Sequence, residues 1–174
     1  KLPHNFVIAS LSNLEAVSNA ISEMLVRGAP LIGATAAYGI ALAMNEDPSD
    51  AGLEYATKTL MATRPTAVNL RWALGEMVSL IKPLQKHERI GAAYKKAAEI
   101  CDQDVEICSN IGTHGAEIIA SIWRQKGEPS LSNGGVNILT HCNAGWLATV
   151  DWGTALAPIY KAHDAGIPVH VWVD

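Results

Sequence analysis

The sequence predicts an α/β protein, in which a helical amino-terminal domain (residues 1–128) precedes the opening strand–helix–strand unit of an open parallel sheet (residues 129–174). Three observations carry this expectation. Up to about residue 125, apolar residues recur at helical spacing between repeated start and stop signals. Gly127-Glu128-Pro129 and Asn133-Gly134-Gly135 then form a linker. Beyond it, two short apolar runs bracket a helical stretch, which is the grammar of a parallel α/β unit.

Ser12-Asn13-Leu14-Glu15 has the capping-box pattern, which satisfies orphan amides at a helix start. Val17, Ala20, Ile21, Met24 and Leu25 give that helix its apolar face, and Gly28 supplies the stop. Pro30 suits the first turn of a second helix running through Ala36, Ala37 and Ile40 towards Met44. Residues 45–49 form a turn, and a third helix reaches about Ala62. Thr63-Arg64-Pro65-Thr66 repeats the start signal for a fourth helix ending near Ile81. A long tract from about Ile90 to Trp123 sets Tyr94, Ala98, Cys101, Val105 and Cys108 on one stripe, with Gly112 and Gly115 as points of interruption. Val136–Thr140 reads as a short buried strand and residues 141–145 as a turn. A helical stretch through Lys161 to Ala165 then leads to a second buried strand at Val169–Val173. Such a strand ordinarily feeds more sheet, so the chain is expected to be part of a longer polypeptide.

Composition narrows the function classes. Of 174 residues, 49 % are hydrophobic, enough to bury a core, yet Phe6 is the one phenylalanine. Small and aliphatic residues favour helix packing over a β-sandwich. The formal net charge is −4 and no block of lysine or arginine occurs, so a nucleic-acid surface is not indicated. Cys101, Cys108 and Cys142 form no close metal pair and leave an odd number for bridging, as expected of reduced thiols in the cytoplasm. No apolar run approaches the roughly 18 residues of a membrane span. Lys1-Leu2-Pro3-His4-Asn5 is not a signal peptide. Trp72, Trp123, Trp146, Trp152 and Trp172 show no stripe and read as core or interface residues.

Chemistry concentrates in three segments. In Arg27-Gly28-Ala29-Pro30, a proline-led helix start leaves amides unpaired and adds the positive end of the helix dipole, which suits a phosphate. Gly28 permits close backbone approach, and Arg27 adds a forked charged contact. Arg64 before Pro65 has the same grammar, so two guanidinium groups could converge on one anion. Each motif alone also fits an ordinary helix corner with a solvated arginine. In Thr140-His141-Cys142-Asn143-Ala144-Gly145, a thiol stands where a parallel strand ends, the ligand-facing edge of such sheets. There Cys142 can act as base or nucleophile, or be a small buried filler. His141 reads as structural, because adjacent residues at a strand end point to opposite sides. Cys101 and Cys108 read as packing residues, and His114 receives no role. The carboxylates show no acid/base spacing.

These segments together resemble the methylthioribose-1-phosphate isomerase family. The resemblance rests on Met24–Gly33 followed by Ala36-Ala37-Tyr38-Gly39, on Thr63–Leu70, and on Thr140–Gly145, in order along almost the whole chain. It implies a helical domain followed by a Rossmann-like domain, usually in a homodimer, acting on a small sugar phosphate without metal or organic cofactor. Arg27, Gly28, Ala29 and Arg64 would hold the substrate phosphate, and Cys142 would be the active-site thiol. The family's proton-donating aspartate lies further into the Rossmann-like domain. No position here matches its motif, and Asp174 is not assigned that role. Leu31 stands where alanine is common, a minor departure. The implied reaction converts 5-methylthioribose 1-phosphate to its ketose in methionine salvage and needs the remainder of the carboxy-terminal domain. The rivals are isomerisation of a related sugar phosphate, such as 5-deoxyribose 1-phosphate, and a non-catalytic regulatory subunit of the initiation factor 2B type.

Overall fold

Asn13 begins the first helix: its side chain accepts from the Ala16 amide at 2.8 Å and closes the first turn. Here α1 (Leu14–Ser22) starts one residue later than the capping box places it, with Asn13 rather than Ser12 as cap. It also stops well before Gly28. Met24 adopts a left-handed φ of 60°, so the chain leaves the helix axis there, and Met24 and Leu25 are exposed rather than part of the apolar face. The computed structural model describes residues 4–125 and 135–174. Gly127-Glu128-Pro129 and Asn133-Gly134 of the expected linker lie outside these, as do Lys1–Pro3.

Pro30 stands in the first turn of α2 (Ala29–Glu46), as its fixed φ and missing amide dictate. This helix is buried along most of its length, with Ile32, Ala36, Ala37, Ile40 and Met44 in the core. Small residues let its neighbours approach: a Cβ on Gly33 would stand 3.0 Å from the Asn69 carbonyl oxygen. Ser49 caps α3 (Asp50–Thr63), accepting from Gly52 at 3.1 Å. The fourth helix, α4 (Val68–Ile81), begins three residues later than the proline signal predicts. Pro65 instead occupies a β-turn closed by the Ala67 amide donating to the Arg64 carbonyl at 3.0 Å. Arg64, which precedes a proline, is held extended (φ −147°, ψ 79°) as the cap of α3.

The long tract is one uninterrupted helix, α5 (Lys86–Gln125). Gly112 and Gly115 do not break it. They are the surface on which α6 (Ala157–Asp164) lies: a Cβ on Gly112 would stand 3.1 Å from Ala157 Cβ, and one on Gly115 would overlap the Pro158 ring. The buried line of α5 runs through Ala93, Ala97, Ile100 and Cys108, about one position round from the expected stripe. Tyr94 is exposed, and Ala98, Cys101 and Val105 are half-buried. The amino-terminal part of α5 belongs to the main core with α1–α4. Its carboxy-terminal part meets a second cluster formed by Ile119, Val136 and Ala162, with Trp123, Ile138 and Val169 against it.

Strands β1 (Val136–Thr140) and β2 (Val169–Val173) pair in parallel, with Val136 opposite Val169 and Thr140 opposite Val173. Neither is fully buried as expected. Val136 and Thr140 are covered, whereas Leu139 and Trp172, on the face that α6 does not shield, are exposed, as is Val173 at the end of β2. The predicted helix after residue 145 is also shorter. A 3₁₀ turn (Trp146–Ala148) and an irregular loop precede α6. Of the tryptophans, Trp72, Trp146 and Trp172 are exposed, and Trp123 packs into a core.

One buried cation organises the far end of the helical layer. Arg89 donates to the carbonyls of Leu84, Pro48 and Lys82, each at 3.0 Å, and its guanidinium pairs with Asp50 at 2.7 Å. It thereby ties the end of α4, the approach to α3 and the first turn of α5 through one planar fork. Arg89→Met is expected to lower unfolding free energy by about 3 kcal/mol, because buried carbonyls lose their donors. Asp50 is exposed and adds little to that figure. Denaturant unfolding measures this loss, and Arg89→Lys should recover under half of it, since an ammonium cannot reproduce the fork.

Candidate functional site

The first residues of α2 meet the loop that follows β1. Gly28 has φ 97° and ψ 133°, a backbone setting open to glycine, and lies directly against Ala148 of the 3₁₀ turn. A Cβ at position 28 would overlap the Ala148 Cα and carbonyl oxygen. The Arg27–Pro30 corner therefore touches the segment that begins four residues after Cys142. At this corner no side chain caps α2, whose N-cap is Gly28 itself. Arg27 and Ala29 are exposed.

The start of α4 stands at the same end of α2, through the contacts of Gly33 with Asn69 and Ala73. Arg64 precedes it by one turn and is half-buried. Its setting is a β-turn and not a proline-led helix start, so the expected symmetry of two such starts holds only for α2. Nearby, Arg71 donates to the Pro65 carbonyl at 3.1 Å and fixes that turn. Among the described residues, the side chain of neither Arg27 nor Arg64 has a hydrogen-bond or ion-pair partner.

Cys142 lies just past the end of β1, exposed, with a left-handed φ of 68°. A side chain in that region costs on the order of 1 kcal/mol, a cost that surrounding contacts must maintain. Here they do. The Ala144 carbonyl accepts from the Thr154 amide at 3.0 Å and the Leu156 amide at 3.4 Å. Gly153, with φ 77°, packs on the backbone of Ala144 and Gly145. Thr149, itself buried, donates to the Asp151 carbonyl at 2.9 Å and accepts from the Gly153 amide at 3.0 Å. The whole loop is anchored to α5, where Asp104 accepts the Val150 amide at 2.7 Å. Lys161 of α6 donates to Ser109 at 2.9 Å and Thr113 at 3.0 Å, and its ammonium lies 4.8 Å from the Trp152 ring centre.

The three thiols differ in setting. Burial and the neighbouring Asp104 carboxylate push Cys108 up to about 11. Burial also raises Cys101. Cys142 is the exposed one. Beneath it runs a groove of about 500 Å³ between the sheet end and α6, lined by Thr140, Gly145, Leu156, Tyr160 and Val173. His141 turns the other way: its Nδ1 lies 2.9 Å from Asp174 Oδ2, both side chains exposed at the ends of the paired strands. A groove of about 450 Å³ beside α3, lined by Leu53, Lys58 and Lys82 among others, holds none of the residues singled out by sequence. Asp104, Thr149 and Lys161 carry no local signal, since Asp104 and Lys161 act on partners 46 and 52 residues away.

No helix among the described residues is long and apolar enough to cross a membrane. Residues 25–174 match the model of the initiation factor 2 subunit family. Over all 174 residues the chain is 62 % identical to methylthioribose-1-phosphate isomerase of Rhodospirillum rubrum, of which it covers 45 %. It is 58 % identical over its whole length to the Escherichia coli protein of that name and covers 46 % of it. Among solved structures, 5-methylthioribose 1-phosphate isomerase from Pyrococcus horikoshii superposes with a TM-score of 0.84 at 37 % identity, over 99 % of this chain and 47 % of that one. Subunit delta of translation initiation factor eIF-2B from A. fulgidus superposes with a TM-score of 0.80 at 35 % identity, over 99 % and 49 %. The chain thus spans a little under half the length of these relatives. With the family model matched over its corner, long helix and strand–helix–strand unit alike, the chain belongs to the initiation factor 2 subunit family.

Proposed function

We propose that these 174 residues supply the phosphate site and the thiol of an isomerase that converts 5-methylthioribose 1-phosphate to 5-methylthioribulose 1-phosphate. The observation that carries the reading is the contact of Gly28 with Ala148, which sets an uncapped helix start beside the loop bearing Cys142. In this reading the α2 amides, Arg27, Gly28, Ala29 and Arg64 take the phosphate, and Cys142 acts at the reacting carbons. Identity favours it over a purely regulatory subunit: 62 % and 58 % to proteins named as the isomerase, against 35 % to the initiation-factor subunit. The reading includes a cytoplasmic homodimer, a division of the chain near residue 128 and an acid supplied by further Rossmann-like sequence.

The reaction breaks the C1–O4 ring bond, moves one hydrogen from C2 to C1, makes the C2 oxygen a carbonyl and leaves a hydroxyl at C4. It conserves all atoms and electrons and therefore requires no co-substrate. The phosphate marks C1, so an anion site fixed relative to the sulfur sets which carbons stand beside Cys142. Rigid positioning of this kind supplies much of the rate of such reactions.

In a polypeptide of the relatives' full length carrying these residues, Cys142→Ala is expected to cut kcat by about 100-fold or more, with KM little changed. Retention of wild-type kcat refutes the thiol's role. Disulfide-exchange labelling at pH 8 should find one fast thiol in the native protein and none in that variant. With Cys108 at about 11, on the order of 0.1 % of its thiol is ionised at that pH. Arg27→Ala and Arg64→Ala should each raise KM about 10- to 100-fold, the worth of a charged phosphate contact. Steady-state kinetics checks this, and an unchanged KM for either removes that arginine from the site.

A further inference from the structure

Among the described residues, one side-chain oxygen is buried with no hydrogen-bond partner: Thr140 Oγ1. Thr140 closes β1, is 7 % exposed, and lines the groove under Cys142. Strand pairing explains its backbone, whose carbonyl accepts the Asp174 amide at 3.2 Å, but leaves the hydroxyl without a task. Its neighbours on the same face, Val136 and Ile138 of β1 and Val171 and Val173 of β2, are apolar and β-branched. Valine has the same shape and would spare the desolvation of a hydroxyl, so packing alone does not account for threonine.

We infer that the Thr140 hydroxyl is the hydrogen-bonding partner of the C2 oxygen of the bound sugar phosphate, an inference that rests on the isomerase reading. Two facts direct the hydroxyl to that atom. Thr140 stands two residues before Cys142 on the same strand end, so its reach falls beside the reacting carbons. Thr140 also lines the groove, and a 120° step about χ1 moves its hydroxyl from one staggered position to another. The chemistry also fits. The C2 oxygen begins as a hydroxyl and ends as a carbonyl, changing from donor to acceptor. A threonine hydroxyl accepts from the first and donates to the second by turning one O–H bond, which neither an amide nor an ammonium does.

The test compares wild type, Thr140→Val, Thr140→Ser and Cys142→Ala in a full-length polypeptide carrying these residues, with methylthioribose 1-phosphate as substrate. Thr140→Val is expected to keep or raise Tm while kcat/KM falls about 10- to 100-fold, with part of the loss in kcat. Thr140→Ser should recover most of the activity. Wild-type kcat/KM in Thr140→Val overturns the inference. So does a fall in Tm and activity together that serine fails to reverse, since neither loss then follows the hydroxyl. Wild type without turnover defeats the isomerase reading itself. Turnover lost in Cys142→Ala but intact in Thr140→Val defeats only the role of Thr140.

Discussion

The missing side chain at position 28 is the constraint on which the arrangement depends. A helix start and a strand-end loop, 120 residues apart in sequence, meet with backbone against backbone because Gly28 offers no Cβ and tolerates φ 97°. Any other residue would both strain the corner and push Ala148 away. Close approach matters for charge as well as shape. Backbone amides at a helix start act over a short range, and the dipole effect fades within the first turn. An anion held at this corner and a group beside Cys142 share one ligand only if the two segments stay in contact.

That contact would be soft if α5 did not brace it. The helix runs 40 residues and belongs to the α1–α4 core at one end and to the sheet and α6 at the other. Gly112 and Gly115 bring α6 close along it, while Asp104 and Lys161 fasten the loop and α6 to its side. The left-handed Cys142 therefore sits in a loop held at several independent points. A strained backbone persists where its surroundings over-determine it, and here they do.

The elements legible in sequence were those whose signals are local. Pro30, Ser49 and the β-branched runs act within a turn or a strand, and α2, α3, β1 and β2 stand where those residues indicate. The departures have nonlocal causes or competing local ones. Pro65 is compatible with both a helix start and a β-turn, and the turn won because Arg64 is already committed as the cap of α3. Gly112 and Gly115 looked like breaks because a sequence cannot show that another helix lies against them. Leu139 and Trp172 looked buried because an apolar run does not reveal how many faces are covered. For the site, the residue types were readable while their mutual placement was not. The contact of Gly28 with Ala148 emerges only from the fold.

The same seam bears on how chains of this fold come to be named both as an isomerase and as an initiation-factor subunit. An uncapped helix start beside a glycine-permitted contact suits an anion and performs no chemistry by itself. Turnover requires something reactive on the opposite wall, held in place with respect to that anion. In this chain the opposite wall carries an exposed thiol on a braced, left-handed residue, while Cys108 is buried and Cys101 half-buried, and burial pushes both of their thiols up.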